Sequence, residues 1–66
     1  MDFDEIARER AVAACDAVRG KYPDTVCGIT YNGTNIYLAN VNDPRTVWVP
    51  VDFYELVPIV AEWLFA

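Results

Sequence analysis

Histidine is absent from the 66-residue chain. That removes the commonest general base, most nucleophile–base dyads and most zinc ligand sets. The two cysteines, Cys15 and Cys27, form no Cys-x-x-Cys pair, and neither has an obvious basic neighbour to hold it as a reactive thiolate. There is no glycine-rich loop of the kind that cradles phosphates. Asn40, Asn42 and Asp43 resemble the start of a calcium loop, but its sixth-position glycine and terminal glutamate are missing. No catalytic residue, cofactor or metal is therefore expected, and the chain reads as a non-enzyme.

Positive charge is scarce. Five Lys and Arg stand against ten Asp and Glu, for a net charge of −5. A protein that grips a phosphate backbone needs a basic patch, so direct nucleic-acid binding is not expected. No uninterrupted apolar run approaches the ~18 residues of a membrane span, and no membrane partner is expected. The opening Met-Asp-Phe-Asp-Glu has neither the basic nor the apolar region of a secretory leader, so a cytoplasmic location is expected. In a reducing compartment Cys15 and Cys27 would be buried free thiols, with a single disulfide as the alternative. Asn32-Gly33-Thr34 matches a glycosylation sequon, but a turn explains those residues without secretion. Repeats, linkers and low-complexity stretches are also missing, and residues 1–66 read as one domain.

What the chain has in quantity is apolar side chains, 55% of its residues, against the usual ~45–50%. A domain this small buries only about 60% of its unfolded surface, so some of that material should remain exposed.

The organising stretch is Thr25 to Val51, which predicts a three-stranded antiparallel meander. Asn32-Gly33 between two β-rich runs predicts a type I′ turn, with positive φ at both residues. Tyr31 would then face Thr34, Ile29 Ile36, Gly28 Tyr37, Cys27 Leu38 and Val26 Ala39. Asn42-Asp43-Pro44-Arg45 predicts the second turn, with Leu38 opposite Val49 and Ala39 opposite Trp48. One sheet face would carry Cys27, Ile29, Ile36, Leu38, Val47, Val49 and Val51, a suitable core face. The other would carry Tyr37, lying over Gly28, and Trp48.

Residues 2–19 predict a helix. Asp2 and Glu5 form a capping box, Met1 and Ile6 a hydrophobic staple, Gly20 a left-handed C-terminal cap, and Pro23 the stop. Its apolar face would hold Phe3, Ile6, Ala7, Ala11, Ala13, Ala14, Ala17 and Val18. Arg10 points into that face. Its head would either reach water or a carboxylate such as Glu55 or Glu62, or serve as a buried or interface arginine. A second capping box, Asp52 and Glu55, starts the C-terminal helix. Pro58 either kinks that helix or restarts it. Phe53, Leu56, Val57, Val60, Trp63 and Leu64 form a broad apolar face, widened by Tyr54, Ile59, Ala61 and Phe65. Either the N-terminal helix covers this surface or a second molecule does.

The expected fold is α+β: α-β-β-β-α, a three-stranded meander with both terminal helices on one face. That order resembles the topology of double-stranded-RNA-binding domains, although the basic RNA-contacting residues of that family have no counterpart here. The functional expectation is a small acidic protein-interaction module, an inhibitor of a basic surface on a larger nucleic-acid-handling protein. Virus-encoded inhibitors of host defence, acting in the host cytoplasm, are often built this way. Asp2, Asp4, Glu5, Glu9 and Asp16 would form its acidic face. Tyr37, Trp48, Ile59, Trp63 and Phe65 would bind the partner or a second copy in a homodimer. The alternative is a structural, homo-oligomerising protomer of a larger assembly.

Overall fold

The computed structural model describes residues 3–66, with side chains from residue 5 onward. The order is α1 (Phe3–Lys21), β1 (Thr25–Ile29), β2 (Asn35–Asn40), β3 (Thr46–Pro50), a 3₁₀ segment (Val51–Leu56) and α2 (Val57–Leu64). The strands form one antiparallel sheet in the order β1-β2-β3. Both helices pack on its aliphatic face, where Ala11, Cys15 and Val18 of α1 meet Cys27, Ile36, Leu38 and Val49 of the sheet. Val51, Val57, Ala61 and Leu64 of the C-terminal segment complete that core. The fold is the expected α+β arrangement. Among the described residues no helix is long and apolar enough to cross a membrane.

The β1–β2 register is the expected one: Ile29 pairs with Ile36, Gly28 with Tyr37, Cys27 with Leu38 and Val26 with Ala39. The turn that sets it differs. Thr30 N–H donates to Asn35 C=O at 2.9 Å, and Gly33 N–H to Thr30 C=O at 2.8 Å. Among the described residues only Gly33 has positive φ, at 73°. The chain therefore turns through Tyr31–Thr34 instead of a two-residue type I′ turn, and Tyr31 and Thr34 leave the ladder. Lengthening the loop by one residue on each side keeps the register. Asn32 holds this loop from its side chain: its Oδ1 accepts from the hydroxyls of Thr30 (2.7 Å) and Thr34 (2.8 Å).

The β2–β3 register is displaced by two residues from expectation. Tyr37 pairs with Trp48, Leu38 with Val47 and Ala39 with Thr46. Side-chain turns explain the shift. Asn40 Oδ1 accepts from Asn42 N–H at 2.9 Å, and Asp43 Oδ1 from Arg45 N–H at 2.8 Å. The chain thus reverses around Asn42 and Asp43, ahead of Pro44. An even displacement leaves each side chain on its predicted face.

α1 passes through Gly20, and Tyr22 N–H donates to Val18 C=O at 2.7 Å. Gly20 is therefore not a left-handed cap, and the stop comes from Pro23, which cannot donate. The buried stripe runs Ala11, Cys15, Val18, with Ala7 and Ala14 beside it. Ala13 and Ala17 are exposed, contrary to expectation. Cys15 faces Cys27 of β1, with Cα atoms 5.7 Å apart, and the two are joined in a disulfide. The free-thiol expectation is corrected accordingly: packing α1 across β1 brings the two within bridging distance. The Asp2 capping box, the Met1 staple and the Phe3 side chain lie outside the described residues.

The C-terminal segment restarts at Pro58. The 3₁₀ segment is interrupted by non-helical Phe53, and α2 begins with Pro58 in its first turn, where its missing N–H costs nothing. No side-chain hydrogen bond caps the 3₁₀ segment, so Asp52 and Glu55 do not form the expected capping box.

Candidate interaction surfaces

Among the described residues, exposed large apolar side chains cluster on two surfaces. The first lies on the C-terminal segment, which sits beside α1 on the sheet. Val57, Ala61 and Leu64 face the core at helical spacing, which turns Ile59 and Trp63 outward. Phe53 and Leu56 of the 3₁₀ segment are exposed as well. Asp52, Glu55 and Glu62 are exposed among them, and residues 51–66 contain no Lys or Arg. The result is an apolar strip rimmed by carboxylates. Ile59, 63% exposed, is its most open aliphatic side chain. Arg45 stacks over Trp63, with its guanidinium carbon 4.3 Å from the ring centroid. Arg45 is itself engaged by Asp43, at 2.7 Å from Nη2 to Oδ2. These hydrogen bonds hold the Asp43 carboxyl below its ordinary range and raise Arg45 above its own.

The second surface is the sheet face turned away from the helices. Tyr37 and Trp48 meet there edge to face, centroids 5.5 Å apart. Tyr37 does not cover Gly28, contrary to expectation: a Cβ placed at Gly28 would meet nothing within 4 Å. The ring leans toward Trp48 because the observed register makes that residue its direct cross-strand partner. Gly28 is left as the floor of an open groove of about 400 Å³, with Val26, Tyr31, Tyr37 and Trp48 around it.

The remaining predicted site residues divide differently. Glu5, Glu9 and Asp16 are exposed on α1, opposite its core stripe. Asp16 is ion-paired with Arg19, and Arg8, Arg10 and Lys21 share the helix, so the described part of this face is mixed in charge. The Asp2 and Asp4 side chains lie outside the described residues. Phe65, expected among the partner-binding residues, is half-buried. It stacks on Tyr22 with centroids 4.6 Å apart and planes 8° from parallel. Arg10 is neither buried nor ion-paired to Glu62. It lies exposed and donates from Nη1 to the Tyr54 hydroxyl at 2.9 Å. That bond raises its pKa, with a smaller contribution from the charge of Glu55. α1 is turned so that Cys15 takes the core position, which carries Arg10 to the rim.

The sequence groups Phe53 and Leu56 with Val57, Val60, Trp63 and Leu64 on one broad apolar face, whereas the structure leaves Phe53 and Leu56 exposed. Their spacing with Ile59 and Trp63 (53, 56, 59, 63) was the available signal, since it is a second helical stripe separate from Val57, Ala61 and Leu64. No protein-family model matches this chain, and neither a curated protein nor a solved structure matches it.

Proposed function

We propose that this chain is a small, non-enzymatic protein-interaction module whose C-terminal strip docks on a partner presenting an apolar anchor site ringed by Lys and Arg. The observation that carries the reading is the exposure of Phe53, Leu56, Ile59 and Trp63 among three carboxylates, in a segment with no basic residue. Aromatic and aliphatic anchors supply most of the affinity at such interfaces, and a charged rim supplies register and association rate. Occupying a basic cleft on a larger nucleic-acid-handling protein, as an inhibitor, is the role this arrangement suits. A virus-encoded inhibitor of host defence is one form of it, and the host cytoplasm would then be its compartment.

The test is paired capture with purified protein as bait. Wild-type chain should retain a basic partner at low salt and release much of it as salt rises, because the rim is screened. Ile59→Glu should lose that partner at every salt concentration while keeping a wild-type circular dichroism spectrum. Equal capture by the wild-type chain and the variant would remove the strip from the reading.

A further inference from the structure

We infer that β3 pairs edge to edge with β3 of a second copy of this chain, antiparallel, about a two-fold axis through Trp48. The inference rests on the sheet edges and does not require the C-terminal strip to dock on a partner.

The two edges of the sheet are treated differently. Along β1, Thr25 N–H donates to Tyr22 C=O at 3.0 Å. Cys27 C=O accepts from Arg19 Nη1 at 2.7 Å. That edge is occupied by the chain itself. Along β3, Val51 N–H donates to Thr34 C=O at 2.9 Å, which fixes the parity of the strand. Val47 and Val49 turn their backbone groups toward β2. Thr46 and Trp48 turn theirs outward, as Pro50 does its carbonyl. Among the described residues none of these outward groups has a backbone partner. An open edge is a template for another strand.

The edge favours one register for self-pairing. With Trp48 opposite Trp48 of the second copy, the two residues exchange both backbone bonds. Thr46 then lies opposite Pro50 of the second copy, and its N–H meets the one group that proline can offer, a carbonyl. The same contact repeats at the other end. The Thr46 carbonyl, facing the proline, stays open to water. A shift that sets Trp48 opposite Pro50 leaves the Trp48 carbonyl without a donor, and the opposite shift carries Arg45 away from Asp52 of the second copy.

Side chains agree with that register. From Thr46 to Pro50 the strand carries no charge, so two chains of net charge −5 can meet there without opposing carboxylates. Just beyond the pairing, Arg45 falls opposite Val51 and beside Asp52 of the second copy, positive against negative at both ends. On the open face, Trp48 is 58% exposed and already edge to face with Tyr37. Pairing sets two such aromatic pairs side by side in a row across the joined sheet.

The test combines mass and amide exchange on the full chain. Light scattering over a concentration series should give twice the 7.5 kDa chain mass. The Trp48 amide, which has no backbone partner among the described residues of its own chain, should exchange slowly. Thr46→Pro removes an outward donor that the intrachain ladder does not use. It should return the mass to a single chain and free the Trp48 amide, as should Trp48→Lys. Ile59→Glu, on the other surface, should leave the doubled mass unchanged. A single-chain mass at every concentration, with rapid exchange at Trp48, overturns the inference. So does a doubled mass that persists in a folded Thr46→Pro or Trp48→Lys variant. The wild-type exchange rate decides the matter even where a variant fails to fold.

Discussion

A side chain at position 33 would meet two obstacles at once. Gly33 sits at φ 73°, and an added Cβ would lie 3.3 Å from Arg8 Cδ. The arginine stem can move, but the backbone angle cannot change without opening the loop, so the conformational term dominates. Gly33→Val should destabilise the chain by roughly 1–3 kcal/mol, read as a lower midpoint in urea denaturation. Gly28→Ala should be tolerated, since Gly28 has open space above it and no positive φ. Thr25 is the opposite case. Its hydroxyl is buried without a partner among the described residues, so Thr25→Val, which keeps the β-branched shape, should be neutral or stabilising by about 1 kcal/mol, in the same measurement. Asp43 gives a pH dependence. Its folded-state pKa is depressed, chiefly by its hydrogen bonds to Arg45. The stability it contributes is therefore present above the unfolded carboxylate value and lost as pH falls through the lowered one. Asp43→Asn should flatten the acid limb of the thermal-midpoint profile and leave its neutral limb parallel to wild type.

At the scale of elements, the disulfide is the only covalent cross-link between α1 and the sheet among the described residues. It closes a loop of sequence separation 12. Replacing both cysteines with alanine should cost about 3 kcal/mol by the chain-entropy estimate, checked by urea denaturation against the oxidised protein. Element type and face were legible in the sequence because hydrophobic period decides them, 2 in Val26–Val51 and about 3.6 in α1. The first register was legible because Tyr31–Thr34 is symmetric about Asn32 and Gly33, so either loop length gives the same pairs. The second was not. Asn40 and Asp43 each accept a hydrogen bond from a backbone N–H two residues on, and that local competition outweighed the preference read from Pro44. The helix end at Gly20 misled for a similar reason. Glycine permits a left-handed cap without requiring one, whereas Pro23 forces a stop. The disulfide was left open because Cys15 and Cys27 could be matched only after the rotation of α1 was known. The same rotation decided Arg10. Of the candidate site, Ile59 and Trp63 were among the expected binding residues and Phe53 and Leu56 were not, whereas the open β3 edge depended on the register and was not legible beforehand.

For the whole molecule, a body of 66 residues has a folding stability on the order of 3–10 kcal/mol, so substitutions in the last turn should separate sharply by the side they face. Leu64 is 1% exposed within the core cluster, and a carboxylate there would lose its hydration. Leu64→Glu should therefore abolish cooperative unfolding, with a destabilisation of more than about 4 kcal/mol. Trp63 is its neighbour in sequence but lies half in water under Arg45. Trp63→Glu replaces that stacking contact, roughly 0.5–1 kcal/mol at an exposed site, with an acid that Arg45 can still approach. Its thermal midpoint should move by only a few degrees. If the strip docks on a basic partner, Trp63→Glu should nonetheless lose most of the captured partner, because the anchor has gone while the negative charge has increased. Loss of binding with the fold retained in Trp63→Glu, beside loss of the fold in Leu64→Glu, separates recognition from packing within a single turn of α2. Wild-type capture by Trp63→Glu would place recognition elsewhere on the chain.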